Sequence, residues 1–240
     1  MATKKIQGKA TPQRVKAQGL KRAQRTERAR GAHGTQERIL RAATTAFAMK
    51  GYSGARVDSI CRAARANPRM IYHYFGDKDG LYIAVLDHVL GQLRGEELKL
   101  AMDHVEPLEG IVQLFDFMHG HFGRHPELIH LLSGENLLRG RFLRRSLKAR
   151  IVASPLIALI AGLLARGERT KIFRPGIDPL QLYVMMAALC YFHRSNAYTL
   201  SSIFAENLLA PTWQNRHKHY AIDMVERFLL HEPSRSRDRH

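Results

Sequence analysis

Arg69, Met70, Tyr72, His73 and Tyr74 follow directly on the pair Asn67-Pro68 and set out a guanidinium, an imidazole and two phenols at helical spacing. A short helix that shows solvent this set of groups is poorly explained as packing. It suits a reading head for a DNA groove, where recognition rather than bond-breaking is the chemistry. Arginine can pair bidentately with guanine, so Arg69 and His73 are the better candidates for base reading. Tyr72 and Tyr74 either contact DNA or belong in part to the core, because aromatic residues at helical spacing usually pack.

Three helices must position these groups. Asn67 is a preferred N-cap, and Pro68 at the first helical position lacks an N–H that would be unpaired there anyway. The residue before a proline is pushed to extended geometry, which an N-cap also wants. Ile71 and Phe75, one turn apart, are expected to be buried. Before them Val57, Ile60, Cys61 and Ala64 make one apolar stripe. Earlier still, Thr35 is expected to cap a helix with Ile39, Ala42, Ala43, Ala46 and Phe47 on its buried face, and Gly51 to be its left-handed terminator. Three helices in about 40 residues match the size of a helix-turn-helix unit. Asp77-Lys78-Asp79 then opens a long fourth helix with acids at its positive end.

The formal charge is +17 over 240 residues, an excess that concentrates polyanions and says nothing about fold. Residues 1–34 hold ten Lys and Arg against Glu27 alone. With few large apolar residues they are expected to form a flexible basic arm, which either touches DNA or merely solubilises. The longest apolar run, Leu156 to Ala165, falls short of the roughly 18 residues that cross a bilayer. The basic start has no apolar segment behind it and is not a secretory signal. Cys61 and Cys190 both lie in apolar helical surroundings, which argues against a disulfide framework and for a reducing cytoplasm. No Gly-rich nucleotide loop, nucleophile elbow or metal triad is present, so an enzyme is not expected and no cofactor is implied.

Beyond Pro107 only helices are expected. Pro126, Ser154-Pro155 and Asp178-Pro179 mark three starts, and Thr212 is expected to cap the last. The segment from Leu180 to Tyr198 is apolar on more than one face, which implies burial against its own domain and a second subunit. His119, His121, His125 and His130 crowd one region. His121 and His125 are four apart on one helical face, but no Cys or acid completes a metal set, and no metal site is expected, since zinc normally needs three or four ligands.

The block "IYHYFGDKDGLYIAVL", and more broadly Thr35 to Leu86, resembles the tetracycline-repressor (TetR) family of bacterial regulators. The resemblance implies an all-α fold: a three-helix DNA-binding head over residues 35–92 and a larger all-helical domain over 93–232, with 233–240 a disordered tail. It also implies a homodimer formed through the last two long helices, and an enclosed small-molecule effector. Asn67, Arg69, Met70, Tyr72, His73 and Tyr74 fall where the family's third helix meets double-stranded DNA, and Lys78 where a lysine grips a phosphate. Two positions depart from the pattern. Arg65 stands where the family usually has glycine, so either it bears left-handed strain or the turn is built differently and Arg65 gains a phosphate. Arg56 stands near a usual Thr or Ser cap, where its charge could replace the hydroxyl.

The expected function is ligand-released, homodimeric repression at a near-palindromic operator. The alternative is a sequence-indifferent, nucleoid-like binder, which the charge alone allows. For the effector site the candidates are His121, Phe122, Met186, Cys190 and Tyr191, each of which could equally be core. The basic run Arg139 to Arg150 is most simply a solvated helix face.

Overall fold

The computed structural model describes residues 34–100, 102 and 104–230. The expected basic arm, up to residue 33, and the expected disordered tail lie outside the described residues. Ten helices run in order among them: α1 (34–54), α2 (Val57–Ala64), α3 (Pro68–Phe75), α4 (Lys78–Glu97), α5 (Pro107–Arg124), α6 (Pro126–Leu137), α7 (Leu147–Arg169), α8 (Pro179–Ser195), α9 (Ala197–Phe204) and α10 (Pro211–Leu229). A 3-10 turn at Leu143–Arg145 separates α6 from α7. No strand forms among the described residues beyond an isolated bridge between Phe173 and Leu230.

The apolar stripes account for the head. Ile39, Ala43 and Phe47 of α1, Ile60, Cys61 and Ala64 of α2, Ile71 of α3 and Leu81, Val85 and Leu86 of α4 are all buried together. Val57 and Phe75 only half-enter this core, although both share the expected stripes. α4 continues unbroken past residue 92, so head and body are joined by a helix rather than a linker. In the body α5 is central, packing on α4, α6, α7, α8 and α10 through Ile111, Leu114, Phe115 and Met118.

Several expected boundaries shift. The first described helix is already formed at residue 34, so Thr35 lies inside it rather than capping it. Gly51 is left-handed (φ 66°) as expected, yet one more helical turn follows before Ala55. Ser154-Pro155 does not start a helix: α7 begins at Leu147 and runs through Pro155. The missing N–H there costs about 3 kcal/mol locally, and burial of Leu156, Ile160, Leu163 and Leu164 offsets it. Pro211, with Ala210 as N-cap, opens α10 in place of Thr212. The helix begun at Asp178, whose carboxylate accepts from the Gln181 N–H at 2.7 Å, stops at Ser195, and α9 resumes after Asn196. The run from Arg139 is not one helix face. Arg139 (φ 55°) and Gly140 (φ 66°) make a left-handed pair, and the 3-10 turn follows.

Candidate nucleic-acid interface

α3 is held by hydrogen bonds at both ends. Arg65 closes α2 in the left-handed region (φ 49°, ψ 47°) and donates its N–H to the Arg62 carbonyl at 3.2 Å. The next N–H, of Ala66, reaches the Cys61 carbonyl at 3.0 Å. The chain then turns through Asn67, whose side-chain oxygen accepts from the Arg69 N–H at 2.9 Å. At the far end the Gly76 N–H returns to Tyr72 O at 3.0 Å, and Asp77 caps α4 through the Gly80 N–H at 2.7 Å. A Cβ on Gly80 would lie 1.9 Å from the Phe75 carbonyl, so only glycine lets α4 start this close beneath α3.

With Ile71 fully buried, the opposite face of α3 is set outward. Asn67, Arg69, Tyr72 and His73 are exposed, and Tyr72 keeps 62% of its surface. Met70 and Tyr74 are half-buried against the core, so the packing alternative holds in part for Tyr74 and not for Tyr72. His73 and Tyr74 stack edge to face, centroids 5.0 Å apart. Arg56 is the N-cap of α2 without a side-chain cap bond, and its guanidinium is exposed. Lys78 is half-buried, with Nζ 4.8 Å above the Tyr52 ring. Arg62 and Arg65 are exposed on the same segment and widen the cationic rim; Arg62 was legible only as one more charge on the outer face of α2.

Sequence reasoning missed what stands behind this face. Tyr52 donates to Asp79, and Arg145 Nη1 reaches the other Asp79 oxygen at 2.6 Å. Burial, reinforced by Asp79, pushes Tyr52 up to about 12, while hydrogen bonds from Tyr52 and Arg145 hold Asp79 below the usual carboxylate range. Phe142, fully buried, sits 4.5 Å from the Tyr52 ring and 4.9 Å from Tyr82. A loop of the body thus plugs into the aromatic cluster under the head.

Residues 39–85 match the family described as bacterial regulatory proteins, tetR family, and residues 107–225 match its tetracyclin repressor-like C-terminal domain. The HTH-type transcriptional repressor NicS of Pseudomonas putida is 36% identical over 181 residues, covering 75% of this chain and 85% of NicS. The chain belongs to the TetR family. Like its relatives, this TetR-family protein is a transcriptional regulator with a helix-turn-helix DNA-binding head, and not an enzyme. The regulator RutR of Escherichia coli is 25% identical over 206 residues, 85% of this chain and 92% of RutR. In fold, the regulator is similar to SCO4942 of Streptomyces coelicolor, with a TM-score of 0.62 at 19% identity over 81% of this chain and 98% of that one. No described helix of the TetR-family protein is long and apolar enough to cross a membrane.

In the regulator's C-terminal domain the expected effector residues split into two groups. Met186 and Cys190 of α8 are fully buried, Cys190 Sγ lying 3.9 Å from the Phe115 carbonyl of α5. Burial pushes the Cys190 thiol up to about 12, which keeps it a neutral packing group. Phe122 meets Tyr191 edge to face at 5.9 Å, and Tyr191 shares a 2.7 Å hydrogen bond with Ser133 Oγ. His121, also buried, faces the other way. Its Nδ1 lies 3.2 Å from Glu96 Oε2 at the end of α4, and its ring is 4.3 Å from that of His125. Glu96, 25 residues upstream, thus stands beside the histidine pair, where no acid was expected.

Proposed function

We propose that this regulator is a homodimeric, ligand-released repressor in which residues 35–92 read a near-palindromic operator and residues 93–232 pair the subunits and take the effector. The observation that carries the reading is the division of α3: Ile71 is sealed in the core while Arg69, Tyr72 and His73 face solvent between exposed arginines. Arg69 and His73 read base edges. Arg56, Lys78 and Tyr72 position the head on phosphates, Asn67 holds the entry to α3, and Met70 and Tyr74 shape its flank.

A single short helix reads few bases, so specificity calls for two heads about one helical turn (~34 Å) or somewhat more apart on a symmetric dimer. The surface that supports pairing is the groove between α8 and α10, about 720 Å³, lined by Met185, Leu189, Phe192, Met224 and Phe228 among others. Leu180, Val184, Phe192, Tyr220 and Met224 extend it with exposed apolar area. For the effector, the α5–α8 seam between Phe122, Tyr191, Met186 and Cys190 is the candidate, with His121 at its far side. A ligand that fits only when this seam opens shifts the spacing of the heads by its differential affinity for the two states.

Selection of bound sequences from random DNA tests the whole reading. A near-palindrome preferred by ~10³ or more over random sequence at physiological salt is expected. Indifference to sequence would favour a nucleoid-like binder and overturn the proposal. Arg69→Ala should then lose about 1–3 kcal/mol at the selected site and little on random DNA. Equal loss on both would assign Arg69 to the backbone.

A further inference from the structure

We propose that Glu96, His121 and His125 form a binding site for a divalent first-row transition-metal ion of the zinc class, at the junction of α4 with the α5–α6 corner. The inference rests on the side chains alone and holds whether or not α3 reads bases. Among the described residues these three bring their ligand atoms within 4.8 Å of one another. The pair His121 Nδ1 and Glu96 Oε2 is 3.2 Å apart, close to the ~3.4 Å edge of a tetrahedron with metal–nitrogen bonds of about 2.0–2.1 Å. His125, half-buried at the corner, brings the third ligand atom within 4.8 Å of the other two.

The surroundings have the features of a supported site. His125 Nδ1 lies 3.0 Å from Glu127 Oε1, which leaves Nε2 for the ion. A ligating histidine that gives its other ring N–H to a carboxylate is held in tautomer and orientation. His125 and Glu127 also line a groove of about 600 Å³ between α1, α4 and α6, which provides an entry path. Two imidazoles and one carboxylate favour a borderline cation over magnesium or calcium, which take oxygen ligands. Three protein ligands leave a fourth position for water. The site also has leverage. Glu96 is in the last turn of the helix that Asp77 caps and Lys78 opens beneath α3, so a bound ion ties the body to the element that carries the head.

The test uses the full chain, stripped with a chelator and titrated calorimetrically with zinc chloride alone, and separately with cobalt chloride followed by its visible absorption. One saturable site per chain is expected, lost in Glu96→Gln and in His125→Ala, and weakened roughly 10- to 100-fold in Glu127→Gln. Glu96 and His125 are both partly exposed, so these variants should keep the helical circular dichroism of the parent, and either one alone decides the outcome. His217→Ala, in the separate cluster with His193 and Trp213, should leave the site unchanged. Zinc binding that survives either Glu96→Gln or His125→Ala, no saturable zinc binding at all, or equal saturation by magnesium would each overturn the proposal.

Discussion

At Arg65 a cationic side chain occupies a backbone conformation (φ 49°, ψ 47°) that costs a residue with a Cβ about 1–2 kcal/mol. The turn tolerates it because the Arg65 and Ala66 N–H groups both close onto α2 carbonyls, and because the guanidinium stands free in solvent beside α3. Strain kept at a functional edge implies a return in binding. Arg65→Gly is therefore expected to raise stability by about 1 kcal/mol in urea melts. The same variant should weaken DNA binding across all sequences and reduce the salt slope by about one phosphate contact. A variant that is more stable yet binds with an unchanged salt slope would remove Arg65 from the interface. Legibility at this scale was good. Asn67, Pro68 and Ile71 do what their types dictate within one turn, whereas Glu96 could not be paired with His121 because 25 residues separate them.

Among elements, the joint between head and body decides how the molecule can work. The loop after α6 sends Phe142 into the ring cluster of Phe47, Tyr52 and Tyr82, and Glu135 Oε2 holds it there by accepting from the Phe142 and Leu143 N–H groups at 3.1 and 3.0 Å. Burial carries this joint, while the Arg145–Asp79 ion pair beside it is half-exposed on the arginine side. Phe142→Ala should accordingly cost about 3–5 kcal/mol in chemical denaturation. Arg145→Ala should cost no more than about 1 kcal/mol, because water and salt screen such pairs. A cost for Arg145→Ala as large as that for Phe142→Ala would show that charge, not packing, carries the joint. None of this was visible in the linear chain, where Arg139 to Arg150 read as one solvated face. Pro155 misled for a related reason: a Ser-Pro pair is a start signal within its own turn, and only the packing of α7 overrides it.

At the scale of the whole molecule, α8 and α10 leave apolar residues exposed. These residues include Phe192 at 58% and Met224 at 59% exposure, both in the wall of the 720 Å³ groove. Such area on a chain this basic is expected to be shared with a second copy. Phe192→Glu should shift sedimentation from dimer to monomer. Operator affinity should then fall by at least tenfold, because each head would bind its half-site alone. A Phe192→Glu variant that stays dimeric would move the interface to another surface. That α8 packs on its own domain and still keeps apolar residues exposed follows from its two apolar faces. The break at Asn196 and the extra helix α9 were not anticipated: the polar Ser195-Asn196 pair, whose side chains bond back to the Phe192 carbonyl, ends α8 there.

The chain's local chemistry alone determined that a capped, proline-led helix with a buried Ile71 would hold out arginine, histidine and tyrosine, because caps, periodicity and charge act within a turn or two of their own residues. Tertiary structure decided which of those side chains stay exposed, and it assembled Tyr52 with Asp79 and Arg145 and Glu96 with His121 and His125. Bonded partners among those groups lie as many as 66 residues apart, and only the path of the folded chain, set by a shared core, can bring them into contact.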